Sequence, residues 1–309
     1  MDLKSYVKEL NRRAIQPFYR PVPADVKPKF KKFYGIKTVL CDIYGTIIVG
    51  KSNSVADLET NKQHAEAFHN TLKEFNFQDS LRRIKAKRNS AELLKELYLE
   101  EIKKTHTSKR KRGISNPEVK IEKIWHIITK KLIAKGYKYN KTLYGNLSQL
   151  SLKVAYFHQY VNENSKFYKN AFNVLKNLKN RELALGLVSN AQFYTPINLE
   201  IELKKLSKGK LGLYEMFDKD LISFSYKVGR SKPGKEIFKK VLNNLRRKEI
   251  NKNQVIFIGN DMIKDIKLAN DIGFKTVLFA RDKNTLKLNA KIKPDAIITD
   301  WTQLLKIIK

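Results

Sequence analysis

Two rhythms of apolar and polar residues divide this chain. Short apolar runs within 36–49 and near 183–188, 221–225, 254–258, 275–279 and 295–298 have the length of strands and are rich in Val, Ile, Leu and Phe, so they predict β-structure. Between residues 64 and 160 the apolar positions recur at helical spacing instead, which predicts amphipathic helices over His64 to Phe75, Ala91 to Ile102, Ile121 to Lys135 and Asn146 to Tyr160. A helix around Ala171 to Leu178 follows, and from there strands alternate with helices. That alternation predicts the α/β class, a parallel sheet covered on both faces, with an all-helical stretch after its first strand. Residues 1–35 are basic and carry Pro17, Pro21, Pro23 and Pro28. They predict a short helix and then an extended leader that packs on the core. The expected division is a leader at 1–35, a core at 36–50 and 166–309, and a helical segment at 51–165.

Composition narrows the classes. With 309 residues and 42% hydrophobic content the chain has material for a sizeable core in one or two domains. No apolar run approaches the roughly 18 residues of a membrane span, and the first residues, MDLKSYVKELNRRA, lack the apolar core of a secretion signal. A cytoplasmic protein with no membrane partner is the expectation. The single cysteine, Cys41, has no partner for an internal disulfide and reads as a buried core thiol. No internal repeat or self-association seam stands out, so a monomer is expected.

Charge is the unusual part of the composition: 63 Lys and Arg against 30 Asp and Glu give +33, a field that attracts polyanions. The basic residues are spread along nearly every predicted helix, however, which reads as solvated faces rather than a nucleic-acid groove. The densest cluster, KKTHTSKRKR from Lys103 to Arg112, is expected to be a solvated loop between two helices. The five histidines, His64, His69, His106, His126 and His158, all lie in the helical stretch, and none has metal-ligand spacing.

Candidate chemistry sits at four predicted strand ends. In VLCDIYGTII an apolar run ends in Asp42, with Gly45 permitting a sharp turn and Thr46 after it. In LALGLVSNAQ the run ends in Ser189 and Asn190, a hydroxyl and an amide suited to an oxyanion. In GRSKPGKEIFKKVL, Lys232 precedes Pro233 and an amphipathic helix. In QVIFIGNDMIKDI a strand closes on Gly259, followed by Asn260, Asp261 and Asp265 at the mouth of a helix. Each piece alone has an ordinary structural reading: a turn, a helix cap, a solvated lysine, carboxylates at a helix N-terminus.

Together and in this order, the four resemble the motifs of the haloacid dehalogenase superfamily: Asp with Gly-Thr, Ser or Thr, Lys, and an acidic cluster. The stretches VSNAQFYTP, FSYKVGRSKP and IGNDMIKDI also resemble a branch of that superfamily known only as hydrolases, which supplies no substrate. The resemblance implies a Rossmann-like core with a helical cap inserted after the first motif. It implies Asp42 as the nucleophile and Lys232 as a charge-offsetting cation, with Thr46, Ser189 and the Asn190 backbone holding phosphoryl oxygens. A Mg²⁺ would be held by Asp42, the backbone carbonyl of Tyr44 and Asp261, and Asp265 would orient Lys232 or the metal shell. The expected partner is a small anionic, phosphorylated substrate.

Tyr44 departs from the pattern. The superfamily's phosphatases carry an Asp two residues after the nucleophile, as acid and then base, whereas Asp-x-Tyr-Gly-Thr resembles its 2-haloacid dehalogenases, which attack carbon without metal. Other positions oppose that rival: where those enzymes carry a cap Arg and a Tyr after the motif Lys, this chain has Lys73 and Phe238, and it keeps Asp261 beside Asp42. The favoured expectation is a Mg²⁺-dependent hydrolase of a phosphorylated small molecule. A carbon–halogen hydrolase and a non-catalytic or RNA-associated basic protein are the alternatives.

Overall fold

Thr38–Cys41 form β1, four residues buried on both faces at the centre of a six-stranded sheet. The remaining strands are β2 (Ala184–Ser189), β3 (Ile222–Phe224), β4 (Val255–Gly259), β5 (Lys275–Phe279) and β6 (Ala296–Ile298). All pairings are parallel, in the order β3-β2-β1-β4-β5-β6. The chain runs outward from β1 to β3, returns to the other side of β1 for β4, and runs outward again. That reversal between β1 and β4 opens a crevice at their carboxyl ends, where sheets of this kind bind ligands. The α/β class and Rossmann-like core expected from the sequence are what the structure contains.

This computed structural model describes residues 1–15, 19–50, 62–162 and 166–309, with side chains from residue 65 in the first helix of the insertion. They divide into two units, Met1–Phe18 with Asn53–Asn164, and Tyr19–Ser52 with Ser165–Lys309. No helix among the described residues is long and apolar enough to cross a membrane.

The helical unit contains α1 (Leu3–Arg13), α2 (Lys62–Glu74), α3 (Gln78–Ile84), α4 (Ser90–Lys111), α5 (Ile121–Ala134), α6 (Lys141–Tyr144) and α7 (Leu147–Tyr160). Its centre is aromatic, with Trp125 fully buried among Phe68, Tyr98 and His158. Two expectations need correction here. The cluster from Lys103 to Arg112 is not a loop: all but its last residue continue α4. Lys and Arg are good helix formers, Glu100 pairs with Lys104 at 2.6 Å one turn on, and Lys109, Arg110 and Lys111 sit at the negative end of the helix dipole.

The leader, in turn, does not pack as one piece on the core. In α1 the apolar face of Tyr6, Val7 and Leu10 is buried within the helical unit, Tyr160 donates to the Leu10 carbonyl at 2.9 Å, and Arg13 forks onto Glu74. From Tyr19 onward the leader belongs to the sheet unit. There Lys29 and Ile297 exchange backbone hydrogen bonds and Phe33 is buried.

Each sheet face has its own apolar layer, because successive strand residues point to opposite sides. Val39 and Cys41 pack with Leu187, Ile258 and Phe279 against α8 (Ala171–Asn180), α9 (Tyr194–Leu206) and the C-terminal Trp301. Leu40, Val188 and Phe257 face the opposite way, against α12 (Lys239–Arg247) and α13 (Leu268–Ile272), with the short helices α10 (Leu213–Met216) and α11 (Ser225–Val228) between α9 and α12. At about 1.5–3 kcal/mol for each such side chain, these layers stabilise a fold that carries buried charge at its rim. Cys41 lies wholly inside, and burial pushes its thiol up, consistent with the inert core thiol expected.

Candidate active site

Asp42 stands one residue beyond β1, its backbone N–H closing the ladder on Ile258 at 2.8 Å. The chain then turns tightly: Thr46, Ile47 and Ile48 all donate to the Ile43 carbonyl, and Gly45 takes φ +74°. Glycine is required there twice over. The left-handed backbone disfavours a side chain, and a Cβ would come within 2.5 Å of the Asn260 amide. The turn is anchored beneath by Trp301, whose indole donates to the Thr46 carbonyl at 3.0 Å.

Lys232 reaches this point from 190 residues away. Its buried ammonium donates at 2.6 Å to both Asp42 Oδ1 and Asp265 Oδ1, over the face of Phe257 at 5.6 Å. Desolvation alone would lower the pKa of Lys232, but Asp265 and then Asp42 outweigh it and hold the ammonium above its ordinary range. Burial pushes the Asp265 carboxyl up to about 7, with Lys232 pulling against it. Both Asp265 oxygens are occupied, since Oδ2 accepts from the backbone of Asn260 at 3.1 Å and Asp261 at 3.0 Å. Gly259 makes room for this, as a Cβ there would lie 2.4 Å from Asp265. The segment Met262–Lys267 is a wide π-helical turn rather than an ordinary helix start. Its cap is Asp261, whose Oδ1 accepts from Ile263 and Lys264.

The structure therefore brings Asp42, Thr46, Ser189, Asn190, Lys232, Asn260, Asp261 and Asp265 to the carboxyl edge of β1, β2 and β4, with Gly45 in the turn. One expected use is corrected. The Asn190 side chain does not serve an oxyanion: Oδ1 accepts from Lys232 N at 2.7 Å and Nδ2 donates to Lys232 O at 3.1 Å. The amide clamps the Lys232 backbone instead. The Thr46 hydroxyl donates to Asn260 Oδ1 at 3.1 Å. Ser189 Oγ is buried with no hydrogen-bond partner among the described residues, a donor that a bound anion would satisfy.

Two carboxylate oxygens at this edge are open to a magnesium-like ion. Asp42 and Asp261 each leave Oδ2 without a hydrogen bond from the described residues, whereas Asp265 leaves neither oxygen. The two open oxygens belong to carboxyl groups, the hard oxygen donors that a magnesium-like ion takes. Among the described residues no three His, Cys, Asp or Glu side chains form a closed cage. Two open carboxylate oxygens suit a hard ion that keeps several waters and takes few protein oxygens.

A family model for haloacid dehalogenase-like hydrolases matches residues 36–273. The chain belongs to that family. No curated protein matches its sequence. Among solved structures it is similar to the HAD-hydrolase YfnB from Bacillus subtilis bound to magnesium, at 18% identity and TM-score 0.47 over 90% of this chain and 99% of that one. It is also similar to a HAD phosphatase from Thermococcus onnurineus, at 17% and 0.49 over 88% and 97%. A 2-haloacid dehalogenase from Pseudomonas syringae pv. tomato DC3000 gives 16% and 0.47 over 88% and 97%.

In this haloacid dehalogenase-like hydrolase the Tyr44 ring is buried in the apolar layer, and its hydroxyl is hydrogen-bonded to Thr195 Oγ1 on α9 at 2.8 Å. Phe238 is fully buried against Phe257 and Phe274, while Lys73 is exposed on α2. Sequence reading missed Thr195 and the segment after β5. In that segment the Thr285 carbonyl accepts from Asn260 Nδ2 at 2.7 Å, and Lys287 N donates to the Asn260 carbonyl at 3.0 Å. Buried Asp282 holds this segment by accepting from Tyr19 Oη, Val22 N and Tyr168 Oη. A signal was present: Asp282 follows an apolar strand at the same sheet edge, as Asp42 does.

Proposed function

We propose that the sheet unit is a Mg²⁺-dependent phosphohydrolase site acting on a small phosphorylated molecule, with Asp42 as nucleophile. The observation that carries this is the buried arrangement in which Lys232 spans Asp42 and Asp265 while Asp261 adds a further carboxylate. Asp42 Oδ2, which accepts no hydrogen bond from the described residues, attacks phosphorus to give an aspartyl phosphate, and water then releases phosphate and restores the carboxylate. Lys232 offsets the repulsion between the incoming phosphoryl group and Asp42, and Asp265 keeps it in place. Ser189 Oγ, the Asn190 backbone and Thr46 would bind phosphoryl oxygens. Asp42, Asp261 and the Tyr44 carbonyl would hold the metal, which when bound supplies two positive charges to the phosphoryl oxygens.

Retention of Asp261, which would repel a carboxylate substrate in the absence of metal, and the burial of Phe238 favour phosphoryl over haloacid chemistry. The test is phosphate release from phosphorylated metabolites with and without Mg²⁺, beside chloride release from 2-chloropropionate, for wild type and Asp42→Asn. Mg²⁺-dependent phosphate release that disappears in Asp42→Asn is expected. Metal-independent chloride release would replace this reading with dehalogenation, and silence in both assays would reject an enzymatic role.

A further inference from the structure

Leader residues 26–37, VKPKFKKFYGIK, hold five lysines and no acid. They pass along the outer edge of the sheet unit, beyond β6. Lys29 and Ile297 exchange backbone hydrogen bonds at 2.9 and 2.8 Å, and Phe33 donates to the Ile307 carbonyl at 2.7 Å and accepts from Lys309 N at 3.0 Å. The backbone is therefore pinned on both sides of Phe30, Lys31 and Lys32, and immediately before Tyr34. Phe33 turns inward and is buried, whereas Phe30 and Tyr34 are 55% and 71% exposed. Tyr34 is the most exposed large apolar side chain among the described residues. Of the five lysines, Lys31 alone makes an ion pair with a described residue, to Asp295 at 2.7 Å.

Aromatic rings supply much of a fold's burial energy when they lie inside. Two rings held outward on a pinned backbone are placed for contact instead, and their surroundings select what they contact. Exposed lysines flank both rings, and the chain as a whole carries +33. That charge repels a second copy of this chain and attracts a polyanion. A duplex offers phosphates but keeps its bases stacked inside, whereas a single strand offers phosphates to lysines and unpaired bases to rings. We propose that this leader edge binds single-stranded RNA, the nucleic acid recognised chiefly through unpaired bases. Phe30 and Tyr34 are the stacking platforms, and Lys27, Lys29 and Lys32 meet the phosphates. Four residues of backbone span at most about 14 Å, so a strand of a few nucleotides reaches both rings. The cluster KKTHTSKRKR on α4 is denser in charge but contains no Phe, Tyr or Trp to stack on. The leader face lies three strands from β1, and binding there is independent of hydrolysis at Asp42.

The experiment is fluorescence anisotropy of a short labelled oligo(U) with the full-length protein over a range of KCl concentrations, beside an RNA duplex of the same length and oligo(dT). Wild type should bind oligo(U) more tightly than the duplex, with an affinity that falls as salt rises. Phe30→Ala and Tyr34→Ala should each weaken binding about fivefold or more and leave the salt slope unchanged, because they remove stacking and no charge. Tyr34→Phe keeps the ring and should bind as wild type. Lys27→Gln, Lys29→Gln and Lys32→Gln together should reduce the slope by about 2, at about 0.7 per phosphate contact on a single strand. Unchanged affinity in both ring variants would overturn the inference, as would duplex binding as tight as that of oligo(U), which would leave only diffuse charge. Tighter binding of oligo(dT) would give the face to DNA and overturn the RNA assignment. A dimer in sedimentation that is lost with the same rings, in a protein that does not bind oligo(U), would give the face to a second copy of the chain and overturn it as well.

Discussion

Asn190 and Lys232 face each other as an amide pair, the side chain of one accepting from and donating to the backbone of the other at 2.7 and 3.1 Å. The backbone that carries the buried ammonium is thus fixed from β2, the strand next to Asp42. Asn190→Ala removes both bonds, and at about 0.5–1.5 kcal/mol for each the stability loss is expected to be about 1–3 kcal/mol. Because Lys232 would be less well held, kcat should fall about tenfold or more, since small misplacements near reacting atoms are costly. Urea unfolding and steady-state kinetics on one preparation measure both. Wild-type kcat in a destabilised variant would show that the clamp serves folding alone.

Lys232 joins two carboxylates in a buried setting, so its removal should be worse than removal of the whole charged group. Lys232→Met strands Asp42 and Asp265 and is expected to cost about 3–5 kcal/mol. Adding Asp265→Asn removes one of the stranded charges, so the double variant should be more stable than the sum of the single losses predicts, by about 0.5–3 kcal/mol. Strict additivity in denaturant midpoints would contradict the coupling that the 2.6 Å contacts imply.

How much of this was legible in the sequence differs by element. The six strands were readable because a strand covered on both faces is a short apolar run, and Asp42, Ser189 and Asn260 with Asp261 were conspicuous as the polar residues that end such runs. The use of the Asn190 amide was not readable: its partner is a backbone 42 residues away, and a side chain carries no mark of which peptide group it meets. Continuation of α4 through KKTHTSKRK was hidden because charged residues interrupt the apolar period, while helix propensity and end charges, which carry no period, sustain the helix. Tyr44 signalled a departure from the family pattern but not where its hydroxyl goes, which is to Thr195.

Acid should loosen the floor of the site through Asp300. Burial alone would raise this carboxyl, but hydrogen bonds from the Thr302 hydroxyl and backbone and from Asn170 outweigh it and hold it below its ordinary range. A carboxyl depressed on folding stabilises fully above its unfolded value, about 3.9, and that contribution is lost as pH falls through the folded value. Because Asp300 caps the turn whose Trp301 supports Thr46, the Asp300→Asn variant should show a flatter fall in melting temperature below about pH 4 than wild type. An identical acid limb in the two proteins would remove Asp300 from this account.

Mg²⁺ should raise thermal stability without substrate, because the carboxylates it would neutralise are brought together only in the folded chain. At a hundredfold excess over its dissociation constant, an ion that binds only the native state adds about 2.7 kcal/mol. For a unit of this size that is a rise of roughly 5–10 °C in melting temperature. Asp261→Asn discriminates specific binding from a general salt effect. An asparagine keeps the oxygen that caps Ile263 and Lys264, so the local turn survives while one negative charge is removed. The Mg²⁺-dependent rise should therefore shrink or vanish in Asp261→Asn with the metal-free melting temperature little changed. An undiminished rise in that variant would place the ion elsewhere on the protein and exclude Asp261 as its ligand.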